Sequence, residues 1–220
     1  MKKDYTHISV ILDRSGSMET IRDDTIGGFN TFLESQRSES GTATLTLVQF
    51  DTQDPYEVIH KFKPIKEVPM LERKTYIPRA GTPLLDALGR GINDVEHCIN
   101  EIQEEDRPTK VIIVVVTDGQ ENSSKEFRKD NIEKMIKDKT EKYSWQFVFL
   151  SADLASINDA MKVGFHANSS LMYEKSSKGS KHAWSSLSLR TSEYRSAHKK
   201  KIGFEQEDRK HPDDPNKSSG

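Results

Sequence analysis

The sequence predicts an α/β protein in which helices cover both faces of a mainly parallel sheet. Short apolar runs alternate with helical patterns along the chain, as in proteins built from strand–helix units. Residues 111–116 are apolar at every position, which is typical of a central parallel strand covered on both sides. Residues 84–102 repeat apolar side chains at steps of three and four, which predicts a long amphipathic helix.

The first half of the chain predicts a strand, a helix and a hairpin. A short apolar run bounded by polar residues indicates the strand, and apolar residues three and four apart indicate the helix. Gly27 and Gly28 each weaken that helix by about 1 kcal/mol relative to Ala. Turn-forming residues separate the two hairpin strands, and a long loop with three prolines follows, a type of segment that is often functional. The predicted elements are a strand at 8–12, a helix over 18–36, hairpin strands at 44–50 and 56–62, and the loop 63–81.

The second half continues the alternation and then loses its apolar content. We expect Thr82 to cap the helix over 84–102, with Pro83 at the first helical position. The elements predicted after it are strands at 111–117, 145–150 and 171–173 and helices over 125–142, 154–163 and 181–197. Phe204 is the last bulky apolar residue. We therefore expect one domain over residues 1–198 and a charged, disordered tail over 199–220.

Composition excludes several classes of protein. The 220 residues include 33 Lys and Arg against 35 Asp and Glu, so the chain lacks the basic excess of a nucleic-acid binder. The longest apolar run has 6 residues, whereas a membrane-spanning helix needs about 20. We find no signal-peptide pattern. Cys98 is the single cysteine, which excludes an intrachain disulfide and a cysteine-based zinc site. We expect a cytoplasmic protein that binds neither nucleic acid nor membrane.

Oxygen-bearing side chains follow two predicted strands and precede the best helix. Asp13, Ser15 and Ser17 come after the first strand, and Asp118 comes after the central strand. Thr82 lies just before the helix over 84–102. Ligands of open α/β sheets bind at the carboxyl ends of the strands, so we expect these five side chains to meet at one edge.

This set of donors suits a small, hard divalent cation. Three hydroxyls and two carboxylates offer only oxygen ligands, and Mg²⁺ binds oxygen while retaining several waters. Mn²⁺ also fits such a site. A cation held by so few charges keeps coordination positions for water or for a carboxylate from a partner.

The same residues resemble the metal-ion-dependent adhesion site (MIDAS) of von Willebrand factor type A (vWA) domains. Asp13-Arg-Ser15-Gly-Ser17 is similar to the family's D-x-S-x-S motif, and Thr82 and Asp118 occupy positions like those of its threonine and final aspartate. The resemblance covers roughly residues 5 to 175. Within the family, the chain is similar to stand-alone bacterial or phage-like members.

The resemblance implies a fold, a ligand set and a function. The fold would be a Rossmann-like, mostly parallel six-stranded sheet with one antiparallel edge strand, which the predicted hairpin would supply. Ser15, Ser17 and Thr82 would bind the metal directly, and Asp13 and Asp118 directly or through water. The protein would be a binding module and not an enzyme, capturing a Glu or Asp of a partner protein through bound Mg²⁺.

Three further residues are candidates for the rim that contacts the partner. Arg14 lies inside the D-x-S-x-S motif and could steer an acidic ligand, although such a residue usually faces solvent. Glu121 and Asn122 follow Asp118 closely and could line the rim, with a solvated loop as the alternative.

Two other functions stay open at this stage. Stand-alone bacterial vWA proteins often serve AAA+ ATPases, and since no P-loop motif occurs here, such an ATPase would be a separate chain. The other function is that of a metal-dependent hydrolase or phosphatase, because haloacid-dehalogenase enzymes place a nucleophilic Asp after the first strand. Those enzymes require a second Asp two residues later, where this sequence has Ser15. The sequence also has no G-x-S-x-G motif.

Overall fold

The structure is a computed structural model that describes residues 2–210, with the side chains of residues 4–210. The strands are β1 (Lys2–Asp13), β2 (Thr42–Phe50), β3 (Glu57–Pro64), β4 (Pro108–Thr117), β5 (Gln146–Ser151) and β6 (Ser170–Met172). The helices are α1 (Arg22–Ser38), α2 (Leu84–Glu101), α3 (Lys129–Tyr143), α4 (Leu154–Lys162), α5 (Ser177–Arg195) and α6 (Gln206–Arg209). None of these helices is long and apolar enough to cross a membrane.

The six strands form one sheet in the order β3-β2-β1-β4-β5-β6. Every neighbouring pair is parallel except β2 and β3, which form the antiparallel hairpin at one edge. The predicted fold class is therefore confirmed, including the antiparallel edge strand. Strand β1 lies in the interior of the sheet, between β2 and β4.

Alternating side chains of the central strands fill two separate cores. On β4, Val114 packs in the core beneath α1 and α5, whereas Val115 packs in the core beneath α2, α3 and α4. Both side chains are fully buried. This is why the run is apolar at every position: each face of the strand is covered by helices.

Helix α1 contains a glycine for a packing reason. A Cβ on Gly28 would lie 2.0 Å from the indole of Trp184 on α5, so only glycine allows this close approach. Trp184 also contacts Phe29 and Phe32 through edge and tilted ring contacts, and all three rings are buried. Gly27, in contrast, is exposed and has no atom within 4 Å of a Cβ position.

One predicted helix cap and one predicted helix start are wrong. We expected Thr82 to cap α2 from Pro83, but α2 begins at Leu84 without a side-chain cap from the preceding residue. Helix α3 begins at Lys129 and not near 125, because the backbone N–H groups of residues 125–127 bind the carboxylate of Asp86 on α2.

The predicted tail over 199–220 is wrong for its first part. Ile202 and Phe204 are buried in the core beneath α5, and the segment ends in α6. Asp208 of α6 is buried and accepts a 2.8 Å hydrogen bond from Arg190 Nε, which is itself buried on α5. Although its composition is polar, this segment is therefore ordered by charge pairing as well as by apolar contacts. Residues 211–220 lie outside the described residues.

His7 is a buried base in the middle of β1. Its ring stacks on Phe62 with a centroid distance of 3.6 Å, and Nδ1 lies 2.9 Å from Thr44 Oγ1. Nε2 is buried and has no hydrogen-bond partner among the described residues. Burial lowers the pKa of His7 to about 3, so the folded protein holds this ring neutral.

We predict opposite effects of alanine at the two neighbouring glycines of α1. Gly28→Ala should lower the free energy of unfolding by about 1–3 kcal/mol, because the methyl group would displace Trp184. Gly27→Ala, the matched control, should raise it by about 0.5–1 kcal/mol through helix propensity alone. Urea unfolding followed by tryptophan fluorescence measures both. Equal effects at the two positions would contradict this packing.

We predict that His7 makes the fold sensitive to acid. Between pH 6.5 and about 3 the unfolded chain binds a proton at His7 that the folded chain does not. Stability should therefore fall as pH drops below 6.5, by up to about 1.4 kcal/mol per pH unit from this group. Urea unfolding between pH 4 and 7 should give a shallower slope for His7→Phe than for the wild type. The exposed His97→Gln variant should keep the wild-type slope, and an unchanged slope in His7→Phe would contradict the prediction.

Candidate metal centre

Parallel pairing of β1 with β4 brings the first two site residues together. Leu12 is registered with Val116, so Asp13 and Asp118 leave the same edge of the sheet on adjacent strands. This is the carboxyl edge of the sheet, where α/β proteins bind ligands. Both carboxylate side chains are buried there.

The carboxylate of Asp13 holds the loop that follows β1. Oδ1 accepts a 2.6 Å hydrogen bond from the backbone N–H of Ser15, and Oδ2 accepts a 2.5 Å hydrogen bond from Thr117 Oγ1. Burial raises the pKa of Asp13 to about 7, although both hydrogen bonds act to lower it. Thr117 thus ties β4 to β1 at the site.

The two serines join Asp13's loop to Asp118. Ser15 Oγ lies 3.1 Å from Ser17 Oγ, and Ser17 Oγ donates to Asp118 Oδ1 at 2.6 Å. Ser17 and Asp118 are 101 positions apart in the chain. The other oxygen, Asp118 Oδ2, accepts no hydrogen bond within the described structure but lies 2.5 Å from the ammonium of Lys175.

Thr82 reaches the same point from a third loop. A Cβ on Gly119 would lie 3.7 Å from Thr82 Oγ1 and 3.4 Å from Ser17 Oγ, so both hydroxyls face this glycine. Asn122 holds the Thr82 turn: its Oδ1 accepts from Thr82 N–H at 2.9 Å, and its own N–H donates to Thr82 O at 3.2 Å. The structure therefore brings together all five residues that the sequence proposed as metal ligands.

The cluster is built from hydroxyls as much as from carboxylates. Within residues 4–210, no group of three or more His, Cys, Asp or Glu side chains could hold a metal ion. Any cation at this edge would depend on Ser and Thr oxygens together with Asp13 and Asp118.

The proposal that Arg14 lines the rim is wrong. Arg14 is 5% exposed, and its Nε donates to Asp51 Oδ2 at 2.8 Å. Its Nη1 binds Gln49 at 3.1 Å and also pairs with Glu57. The side chain points away from solvent because buried Asp51 needs a positive partner. Arg14 thereby anchors the D-x-S-x-S loop to the hairpin.

Glu121 is half-buried and caps α2, and its place on the rim stays a prediction. Its Oε2 accepts from Leu85 N–H at 2.8 Å, and Oε1 accepts from the N–H groups of Ser123 and Ser124. Asp86 on α2 binds the next turn of the same loop in return. Asn122 is exposed at the edge, but its side chain positions Thr82.

The loop 68–83 supports the site through hydrogen bonds to the backbone of residues 13–16. Tyr76 is fully buried and donates from its hydroxyl to the backbone oxygen of Asp13 at 2.6 Å. Ala80 O accepts from Gly16 N–H at 3.0 Å, and Arg79 N–H donates to Arg14 O at 2.8 Å. The sequence pattern marked this loop as functional by its length but did not identify Tyr76.

Sequence reasoning also missed Thr117 and Lys175. Thr117 had a signal, because it is the polar last residue of an otherwise apolar strand and precedes Asp118 directly. Lys175 had none, since its contact with Asp118 joins residues far apart in the chain.

Several solved structures share this fold. The chain superposes on proximal thread matrix protein 1 from the mussel byssus, in a structure with a zinc-occupied MIDAS motif, with a TM-score of 0.58 and 14% identity over 86% of this chain and 46% of that one. A von Willebrand factor type A structure from Catenulispora acidiphila gives 0.56 and 11% over 86% and 43%. The pilus adhesin SpaC from Lactobacillus rhamnosus GG, in an open conformation, gives 0.62 and 11% over 86% and 30%.

These matches establish the vWA fold for this chain. The chain spans less than half the length of each of these three proteins. No protein-family model matches the sequence, and no curated protein is detectably similar to it.

We predict that Glu121 contributes to stability through its cap on α2. Glu121→Ala should lower the free energy of unfolding by about 1–2 kcal/mol, because three backbone N–H groups lose their acceptor. Exposed Glu133 on α3 provides the control, and Glu133→Ala should change stability by less than about 0.5 kcal/mol. Urea unfolding measures both variants. An unchanged free energy of unfolding in Glu121→Ala would contradict the capping role.

Proposed function

We propose that this chain is a metal-dependent protein-binding module. In this proposal Ser15, Ser17 and Thr82 hold a divalent cation together with the carboxylates of Asp13 and Asp118. A Glu or Asp of a partner protein completes the coordination of the ion. The observation that carries the proposal is the convergence of five oxygen-bearing side chains from three separate loops at the carboxyl edge of the sheet.

The donor set fits a hard divalent cation. Every side-chain donor is oxygen, and Asp118 Oδ2 is a buried carboxylate oxygen that already faces a cation, the Lys175 ammonium 2.5 Å away. Mg²⁺ is the cation we propose, with Mn²⁺ as its close substitute. The zinc-occupied MIDAS of the mussel protein, which has the same fold, supports a divalent ion at this edge. When bound, the ion would supply an electrophilic position for a carboxylate.

The chain's own residues prepare that position before any ion binds. Asp13 fixes the Ser15 loop, Ser17 aligns Asp118, and Asn122 fixes the turn that carries Thr82. Because these hydrogen bonds already orient the donors, little conformational freedom remains to be lost on binding.

The geometry favours binding over catalysis. Asp13, the residue that a phosphatase would use as nucleophile, is fully buried. Both of its carboxylate oxygens accept hydrogen bonds from the protein, so neither is directed at a substrate in solvent.

We predict that the chain binds Mg²⁺ or Mn²⁺ and that Ser15→Ala and Asp118→Asn weaken this binding by about tenfold or more, a change of about 1.4 kcal/mol or more. Isothermal titration calorimetry with Mg²⁺, Mn²⁺ and Zn²⁺ measures the affinities. The control, Glu34→Gln, removes one negative charge from the exposed face of α1 and should bind like the wild type. Equal heats in the wild type and both site variants would rule the site out.

The partner can be sought with the same variants. Affinity capture in Mg²⁺ and in EDTA should recover the partner only with the metal and only with intact Asp118. An ATPase chain recovered in this way would support the accessory role. Cell fractionation tests the cytoplasm, which is the compartment we propose.

A further inference from the structure

Lys175 places a positive charge directly on a proposed metal ligand. It lies between β6 and α5, and its Nζ is 2.5 Å from Asp118 Oδ2. The same ammonium donates to the backbone oxygen of Ser17 at 3.3 Å. The Lys175 side chain is 39% exposed, whereas that of Asp118 is fully buried. Lys175 therefore reaches from solvent into the cluster.

The two oxygens of the Asp118 carboxylate have different neighbours, a hydroxyl and an ammonium. Oδ1 faces the hydroxyl cluster through Ser17 Oγ, and Oδ2 faces the ammonium. A buried carboxylate is costly without a positive partner, so the ion pair stabilises Asp118 in its present position. A divalent cation bound among the hydroxyls would act on the same carboxylate.

We propose that Lys175 is a tethered cation that competes with the divalent ion for Asp118 and thereby sets the affinity of the metal site. This inference rests on the proposed function. An ammonium and a divalent ion on one carboxylate repel each other, and that repulsion is strong where water is partly excluded. The divalent ion therefore reaches its highest affinity only when Lys175 moves away from Asp118 or pairs with another carboxylate. An acidic partner brings such a carboxylate, so it favours retention of the metal.

Mn²⁺ binding by three variants tests the competition. Lys175→Gln removes the ammonium and should bind Mn²⁺ about tenfold more tightly than the wild type. Lys175→Arg keeps the charge and should bind Mn²⁺ like the wild type. Lys181 is an exposed residue of α5, and Lys181→Gln removes the same charge there and controls for net charge. Calorimetry at about 0.3 M salt suppresses long-range electrostatics and leaves the direct contact.

Thermal unfolding supplies a second readout. In EDTA, Lys175→Gln should melt at a lower temperature than the wild type, because buried Asp118 loses its counter-ion. Saturating Mn²⁺ should raise the melting temperature of Lys175→Gln more than that of the wild type. A merely structural role for Lys175 would lower stability in both conditions and leave the Mn²⁺ shift unchanged.

The outcomes separate this inference from the proposed function. If neither the wild type nor Lys175→Gln binds Mn²⁺, the proposed function fails and the competition fails with it. If the wild type binds Mn²⁺ and Lys175→Gln binds it equally or more weakly, the competition alone is overturned. Tighter binding in Lys175→Gln, with Lys181→Gln unchanged, supports it.

Discussion

The parallel pairing of β1 with β4 is the constraint on which the site depends. Both strands are buried on two faces, so a shift of one residue would exchange the side chains of the two cores. The register is therefore strongly specified, and it places Asp13 beside Thr117 at the edge of the sheet. The remaining donors then need only short loops to reach that point.

Charged side chains behind the edge hold those loops in place. Arg14 and Asp51 connect the loop after β1 to the hairpin, while Glu121 and Asp86 connect the loop after β4 to α2. These groups are buried or half-buried and pair with each other or with backbone N–H groups. Their electrostatic interactions position the hydroxyls and carboxylates at the edge. Lys175 differs from them because it touches the cluster itself.

Much of the fold and the donor set could be predicted, because both follow from local patterns. Apolar periodicity identified the strands and helices, and the rule that ligands meet the carboxyl ends of strands selected the five oxygen-bearing residues. The errors concern charged residues whose partners are distant in sequence. Arg14 was assigned to the surface, yet Asp51, 37 positions later, draws it inward. Composition alone likewise suggested a free tail, although Asp208 pairs with Arg190.

The sequence by itself determined which segments become strands and helices and which oxygen donors follow them, since each depends on neighbours within a few residues. Only the tertiary structure decided which charges meet. Electrostatic attraction depends on distance in space and on burial, and neither can be read from spacing along the chain. The contact of Lys175 with Asp118 illustrates this difference. The sequence gives the identity of both residues but no sign that they meet, because only the packing of the sheet against the segment before α5 brings them together.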